Sequence, residues 1–177
     1  MKETITILRL DHRKERDKRI TTHVALAARA FGAEGFVYSG ERDEKIEESV
    51  RKVSENWGGK FSIRHEKKPL GFAKKFPGEK VHLTFYGTPL KEFLGEKKAA
   101  SKKLLLIVGG PKVPREYYGL GKNVSVTNQP HSEVSAVAVF LASLNEKWDL
   151  IRFPNWKRQI VPSERGKVVK SKGKART

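Results

Sequence analysis

Three short runs of the chain hold residue types that could do chemistry. In residues 11–23, Arg13, Arg16 and Arg19 recur at every third position, with His12 before them and Thr21-Thr22-His23 after. One helical turn would present the arginines together, and guanidinium forks clamp phosphate through paired N–H donors. The plain alternative is a solvated basic face. In Leu106-Ile107-Val108-Gly109-Gly110-Pro111, two glycines directly follow an apolar run. Their missing Cβ atoms let a ligand approach the main chain and reach its N–H groups; the alternative is an ordinary strand-to-loop turn. In Asn128-Gln129-Pro130-His131-Ser132-Glu133, Ser132 or His131 can cap a helix, and Glu133 suits the positive end of its dipole. That leaves Asn128, Gln129 and His131, whose polar groups could read the edge of an adenine. Isolated histidines such as His12, His23 and His131 are more often structural than catalytic. Neither G-x-G-x-x-G nor a phosphate loop ending in Gly-Lys-Ser/Thr occurs, which argues against NAD and ATP.

The elements that must position these runs follow from hydrophobic period and turn residues. Ile5 and Ile7 alternate with threonine, predicting a strand over residues 4–10, followed by a polar loop over 11–20. Thr21 or Thr22 then caps a helix with Val24, Ala27, Ala28 and Phe31 on its apolar face, stopped by Gly32. Strands are predicted at 36–38, around Phe61 and Ile63, at 80–86, at 103–108 and at 123–127, with a late extended segment at 159–161. Helices are predicted at 43–57 (Ile46, Val50 and Val53 inward, closed by Gly58-Gly59), at 89–98, and at 132–144. The run at 103–108 is continuously apolar, as in a strand buried on both faces. Strands alternating with helices predict an α/β fold, a mostly parallel sheet flanked by helices. Ligands bind such sheets beyond the carboxyl ends of the strands, so the informative loops follow Leu10, Tyr86, Val108 and Thr127.

Charge narrows the partner. The chain has 177 residues with 37 Lys+Arg against 20 Asp+Glu, a formal net charge of +17. Acids do not rise with the bases, so the surplus points to a polyanion, nucleic acid first. It is clustered: six bases against three acids over residues 9–19, and eight bases against Glu164 alone over 157–176. Residues 1–165 are expected to form a single domain, and 166–177 a disordered basic tail with almost nothing to bury. The absence of cysteine excludes disulfides, thiolate metal sites, iron–sulfur clusters and Cys nucleophiles, and no metal is expected. The longest apolar-leaning stretch, residues 134–144, is 11 residues long and includes Ser135 and Ser143, too short for a membrane span of about 20. Lys2, Glu3 and Arg9 interrupt the first ten residues, which lack the apolar region of a signal peptide. A soluble, cytoplasmic protein is expected.

Taken in order, the runs resemble one family. Leu8-Arg9-Leu10-x-His12-Arg13-x-x-Arg16-Asp17-x-Arg19-x-Thr21-Thr22-His23-Val24, with Arg29-Ala30-Phe31-Gly32-Ala33, is similar to the archaeal tRNA (cytidine-2′-O-)-methyltransferases acting at T-loop position 56. The resemblance continues through Lys80-Val81-His82-Leu83-Thr84-x-Tyr86-Gly87 and Ile107-Val108-Gly109 with Lys112-Val113-Pro114-Arg115-Glu116. It ends in Asn128-Gln129-Pro130-His131-Ser132-Glu133-Val134. It covers most of residues 5–165, with little signal over 40–78.

The resemblance implies the SPOUT superfamily: a C-terminal deep trefoil knot, a homodimer, S-adenosylmethionine as methyl donor and tRNA as substrate. It assigns the donor site to Leu83, Thr84, Tyr86, Gly109, Gly110, Pro111, Lys112, Val113, Thr127, Asn128, Gln129, Pro130, His131, Ser132, Glu133 and Val134. Ribose-methylating members carry an arginine six residues before the glycine that ends the first helix; here that position is Leu26. Arg19 is the expected substitute, with His23 and Arg16 as alternatives. Arg9, His12, Arg13, Arg16, Arg29, Lys157, Arg158 and Arg165 are expected to contact RNA. The alternatives are a methyltransferase for another RNA position and a basic RNA-binding module without catalysis.

Overall fold

The computed structural model describes residues 3–96, 103–110 and 112–172. Six parallel strands form the main sheet in the order β3-β2-β1-β5-β4-β6. They are β1 (Thr4–His12), β2 (Gly35–Gly40), β3 (Ser62–His65), β4 (Glu79–Pro89), β5 (Lys103–Val108) and β6 (Lys122–Ser125). The helices between them are α1 (Lys14–Ala30), α2 (Glu44–Trp57), α3 (Pro69–Lys75), α4 (Leu90–Glu96), α5 (Arg115–Tyr118) and α6 (Glu133–Leu144). The expected mostly parallel α/β sheet is therefore what the chain forms. Both faces are covered: Ile5, Ile7, Leu104, Leu106 and Val108 pack with Val24, Ala28, Val137 and Phe140. Leu8, Leu10, Leu105 and Ile107 pack with Ala73 and Tyr117 on the other. Residues 104–108 are all buried, as a continuously apolar central strand requires.

Two expectations need correction. Residues 14–20 are not a loop but the first two turns of α1. No Ser, Thr, Asp or Asn stands at the N-cap, which is Arg13; instead the Asp17 carboxylate reaches back and accepts from the Arg13 N–H at 3.2 Å. Nor is the tail free from residue 166: β8 (Val168–Ser171) pairs antiparallel with β7 (Arg158–Val161). The approach to this hairpin is fastened to the end of α2, with Gly59 N donating to Pro154 O at 2.8 Å and Lys157 N to Asn56 O at 2.9 Å. Residues 173–177, like Lys98 at the expected end of α4, lie outside the described residues. No helix among the described residues is long and apolar enough to cross a membrane.

Two histidines are built into the interior. The His12 ring, fully buried, meets Thr21 Oγ1 at 2.9 Å through Nδ1 and lies 3.9 Å from Asp43. His82 donates from Nδ1 to Asn123 Oδ1 at 3.0 Å and sets its ring edge to Tyr118. Burial, joined at His12 by the charge of Arg9, holds both below their ordinary value of 6.5. The folded chain thus takes up these protons at lower pH than the unfolded chain does. Stability is expected to fall as pH drops below about 6.5, by up to roughly 1.4 kcal/mol per pH unit for each histidine. Urea unfolding at pH 7.5 and 5.5 checks this; equal midpoints at the two pH values would contradict it, and His82→Gln should reduce the difference.

Candidate functional site

Parallel register aligns the strand ends that build the site. Arg9 of β1 lies opposite Tyr38 of β2 on one side and Val108 of β5 on the other, and Val108 is opposite Leu83 of β4. Past Leu83, β4 loses step with β6 until Thr88, so residues 84–87 bulge out of the sheet. Gly87 lets β4 and β6 rejoin: a Cβ there would come within 2.5 Å of the Val124 backbone. Asn128 staples the last loop to this bulge, donating from Nδ2 to Phe85 O at 2.5 Å and Gly87 O at 3.3 Å. The His131 ring meets Phe85 edge-on, with centroids 4.8 Å apart. Ser132 is the N-cap of α6, its Oγ accepting from Ser135 N at 3.3 Å.

These contacts frame a shallow recess that is open to solvent. Leu83, Thr84 and Phe85 come from β4, Val108 and Gly109 from the end of β5, and Val126, His131 and Ser132 from the last loop. Glu133 and Ala136 complete it from α6. Gly109 packs so closely that a Cβ would collide with the Val113 side chain, whereas beside Gly110 nothing lies within 4 Å of where a Cβ would stand. An apolar-walled recess with open main chain and a few convergent polar groups is the usual form of a small-ligand site.

Of the expected donor-site residues, Leu83, Thr84, Gly109, His131, Ser132 and Glu133 line the recess. Val113 stands behind Gly109, Val134 packs into the core and Gly110 opens onto free space. Lys112, Thr127, Gln129 and Pro130 are exposed nearby, and Tyr86 is 85% exposed. Asn128 braces the loops through its amide. Pro111 lies outside the described residues. Phe85, Val108, Val126 and Ala136 were missed. Val108 was legible as the last residue of the buried run, but Phe85 fell in the gap of a motif, and nothing in the sequence brings Val126 and Ala136 to the same place.

The basic residues divide sharply. Arg16, Arg19 and His23 are exposed on α1, and Lys157, Arg158 and Arg165 on the C-terminal segment. Arg9, His12 and Arg29, expected on an RNA-contacting surface, are instead buried. Arg29 donates to Gly58 O at 2.5 Å and lies over the Phe153 ring, 4.4 Å from its centroid. Arg9 points from the sheet between the starts of α1 and α6, with Nη2 3.7 Å from Glu133 Oε1 and 3.9 Å from Asp17 Oδ2. Burial lowers its pKa, and the two carboxylates oppose that. For Asp17 burial pushes upward, but hydrogen bonds and charge from Arg16, Arg9 and Arg13 hold the carboxyl below its ordinary 3.8. Among the described residues no group of three or more His, Cys, Asp or Glu could hold a metal ion.

A family model described as tRNA ribose 2′-O-methyltransferase, aTrm56, matches residues 57–170. The chain is 51% identical over 170 residues to the tRNA (cytidine(56)-2′-O)-methyltransferase of Pyrococcus horikoshii, covering 93% of this chain and 84% of that protein. To the protein of the same name from Archaeoglobus fulgidus it is 52% identical over 170 residues, covering 94% and 98%. Among solved structures, the SpoU methyltransferase AviRb of Streptomyces viridochromogenes, in complex with AdoMet, shares the fold. The match has TM-score 0.57 and 16% identity, and covers 80% of this chain but only 56% of that one. Half-identical to such relatives along almost its whole length, the chain belongs to the aTrm56 family of tRNA ribose 2′-O-methyltransferases.

Proposed function

We propose that the chain transfers the methyl group of S-adenosylmethionine to the ribose 2′-oxygen of cytidine 56 in the T loop of tRNA. The observation that carries this is the convergence of three strand-end segments on one recess, with Gly109 in its wall and the main chain at Gly110 next to it left open. The residues fit the donor: Leu83, Val108, Val126 and Ala136 supply apolar wall, Gly110 leaves open backbone, and Ser132, His131 and Glu133 supply polar rim. When bound, S-adenosylmethionine supplies an electrophilic methyl on a sulfonium.

The chain's own task is to hold the ribose hydroxyl, a poor nucleophile, in line at near-attack distance. A group must also take its proton or stabilise the oxyanion that develops. Arg19 is the leading candidate, with Arg16 and His23 beside it on the exposed face of α1. An arginine stays protonated, so its contribution is charge stabilisation. The same reading carries a C-terminal trefoil knot and a homodimer. Exposed Lys157, Arg158, Arg165 and Arg16, with half-exposed Arg13, are suited to hold phosphates.

The test is incubation with labelled methyl donor and unmodified archaeal tRNA, followed by nuclease mapping. Label on the 2′-oxygen of cytidine 56 is expected; label on a base, at another nucleotide, or on none of several tRNAs would overturn the proposal.

A further inference from the structure

Among the described residues the largest fully buried side chain is a charged one, Arg9. Its Nε and Nη1 are buried and have no hydrogen-bond partner among the described residues, and Nη2 stands beside two carboxylates at ion-pair rather than hydrogen-bond distance. For packing alone, an aliphatic residue would serve this place better, since a buried and incompletely bonded guanidinium is costly. Its two acidic neighbours come from different ends of the site. Glu133 begins α6, lines the recess and is 25% exposed. Asp17 sits in the first turns of α1, where Oδ1 accepts from Arg16 Nε at 3.1 Å and Oδ2 accepts from the Arg13 N–H at 3.2 Å. Arg13 and Arg16 are about half exposed, with 43% and 53% of their side chains open. A continuous line of alternating charge therefore runs from the recess, through Glu133, Arg9 and Asp17, to two surface arginines.

We propose that Arg9 is a positioning residue, aiming the Glu133 carboxylate into the recess toward the acceptor hydroxyl and, through Asp17, fixing Arg13 and Arg16 against the RNA backbone in the same register. Nη2 alone stands within ion-pair range of both carboxylates, so what the role needs is a cation held at this one place between them. The inference rests on the methyl-transfer reading above and adds to it a link between the recess and the RNA-facing end of α1.

The test compares wild type with Arg9→Gln, Arg9→Lys, Glu133→Gln and the double variant Arg9→Gln/Glu133→Gln, measuring kcat, donor Kd by titration calorimetry and tRNA Kd by filter binding. Arg9→Gln is expected to lower kcat by about 50-fold or more while donor Kd moves less than about threefold. If Arg9 acts through Glu133, the double variant is no slower than the slower single variant, within about threefold, whereas independent structural damage would multiply. Arg9→Lys, which keeps the charge, should recover at least about fivefold of the lost rate. Unchanged kcat in Arg9→Gln, multiplying losses, or a loss of donor affinity as large as the loss of rate would each overturn the proposal. If Arg9→Gln does not fold, Glu133→Gln and Asp17→Asn test the two ends of the line, and either one leaving kcat unchanged overturns it. A wild-type chain that transfers no methyl overturns the proposed function instead. The positioning role is then read from tRNA binding alone, where Arg9→Gln should weaken affinity about fivefold and an unchanged value refutes it.

Discussion

Replacing Gly109 by valine should weaken binding of S-adenosylmethionine at least about 100-fold, equivalent to about 2.7 kcal/mol. Gly109 ends β5 at the wall of the recess, and even a single Cβ there would collide with the Val113 side chain. Two more methyl groups must either fill the recess or drive the loop that follows out of place, and both outcomes remove the surface the donor would meet. Gly110→Ala supplies the contrast, because nothing lies within 4 Å of its added carbon. In the free protein it should shift the melting temperature by no more than about 2 °C, as unconstrained surface substitutions do. A loss of donor affinity in Gly110→Ala therefore reports the approach of the ligand itself. Titration calorimetry with the donor reads both variants, and normal affinity in Gly109→Val would place the donor elsewhere.

The positions of the loops were more legible than their contents. Strand periodicity and the rule that ligands gather beyond strand ends single out the loops after Leu10, Tyr86, Val108 and Thr127. The ends of β4 and β5 and the loop after Thr127 do meet in one recess, but β4 enters it at residues 83–85, before Tyr86, and the loop after Leu10 does not line it. What the sequence hid was long-range company. Phe85 reaches the recess because β4 bulges where it loses step with β6, and a bulge depends on a neighbouring strand that local sequence does not reveal. The start of α1 was missed because its terminal N–H is capped from inside the helix by Asp17 rather than by a residue ahead of it. The hairpin β7-β8 was missed because its charged, exposed residues look like a tail and its order comes from pairing and from its anchorage to α2. Arg9 is a different case. It shares the period-two face of Ile5 and Ile7, both buried, so alternation already placed it inward, but its net charge drew attention to a surface role.

Arg29 extends the same lesson to a measurable stability. Arg29→Ala should cost about 2 kcal/mol of folding free energy, because it removes a charged donor to a backbone carbonyl and a cation stacked on an aromatic face. The bond to Gly58 O ties α1 to the turn that ends α2, and the Phe153 contact ties both to the segment leading into the hairpin. Burial pushes this guanidinium down, with no carboxylate among the described residues opposing it, so part of the gain from its contacts offsets its own desolvation. Arg29→Met, which keeps the apolar stem and sheds the charge, is therefore expected to lose only about half as much as Arg29→Ala. Urea unfolding measures both. RNA binding supplies the second arm: the slope of log affinity against log salt should be unchanged in Arg29→Ala, while replacing the exposed Lys157 and Arg158 together should reduce it by about one to two phosphate contacts. A stable Arg29→Ala protein with a reduced salt slope would return this arginine to the RNA-binding surface and would mean that the C-terminal segment moves aside to expose it.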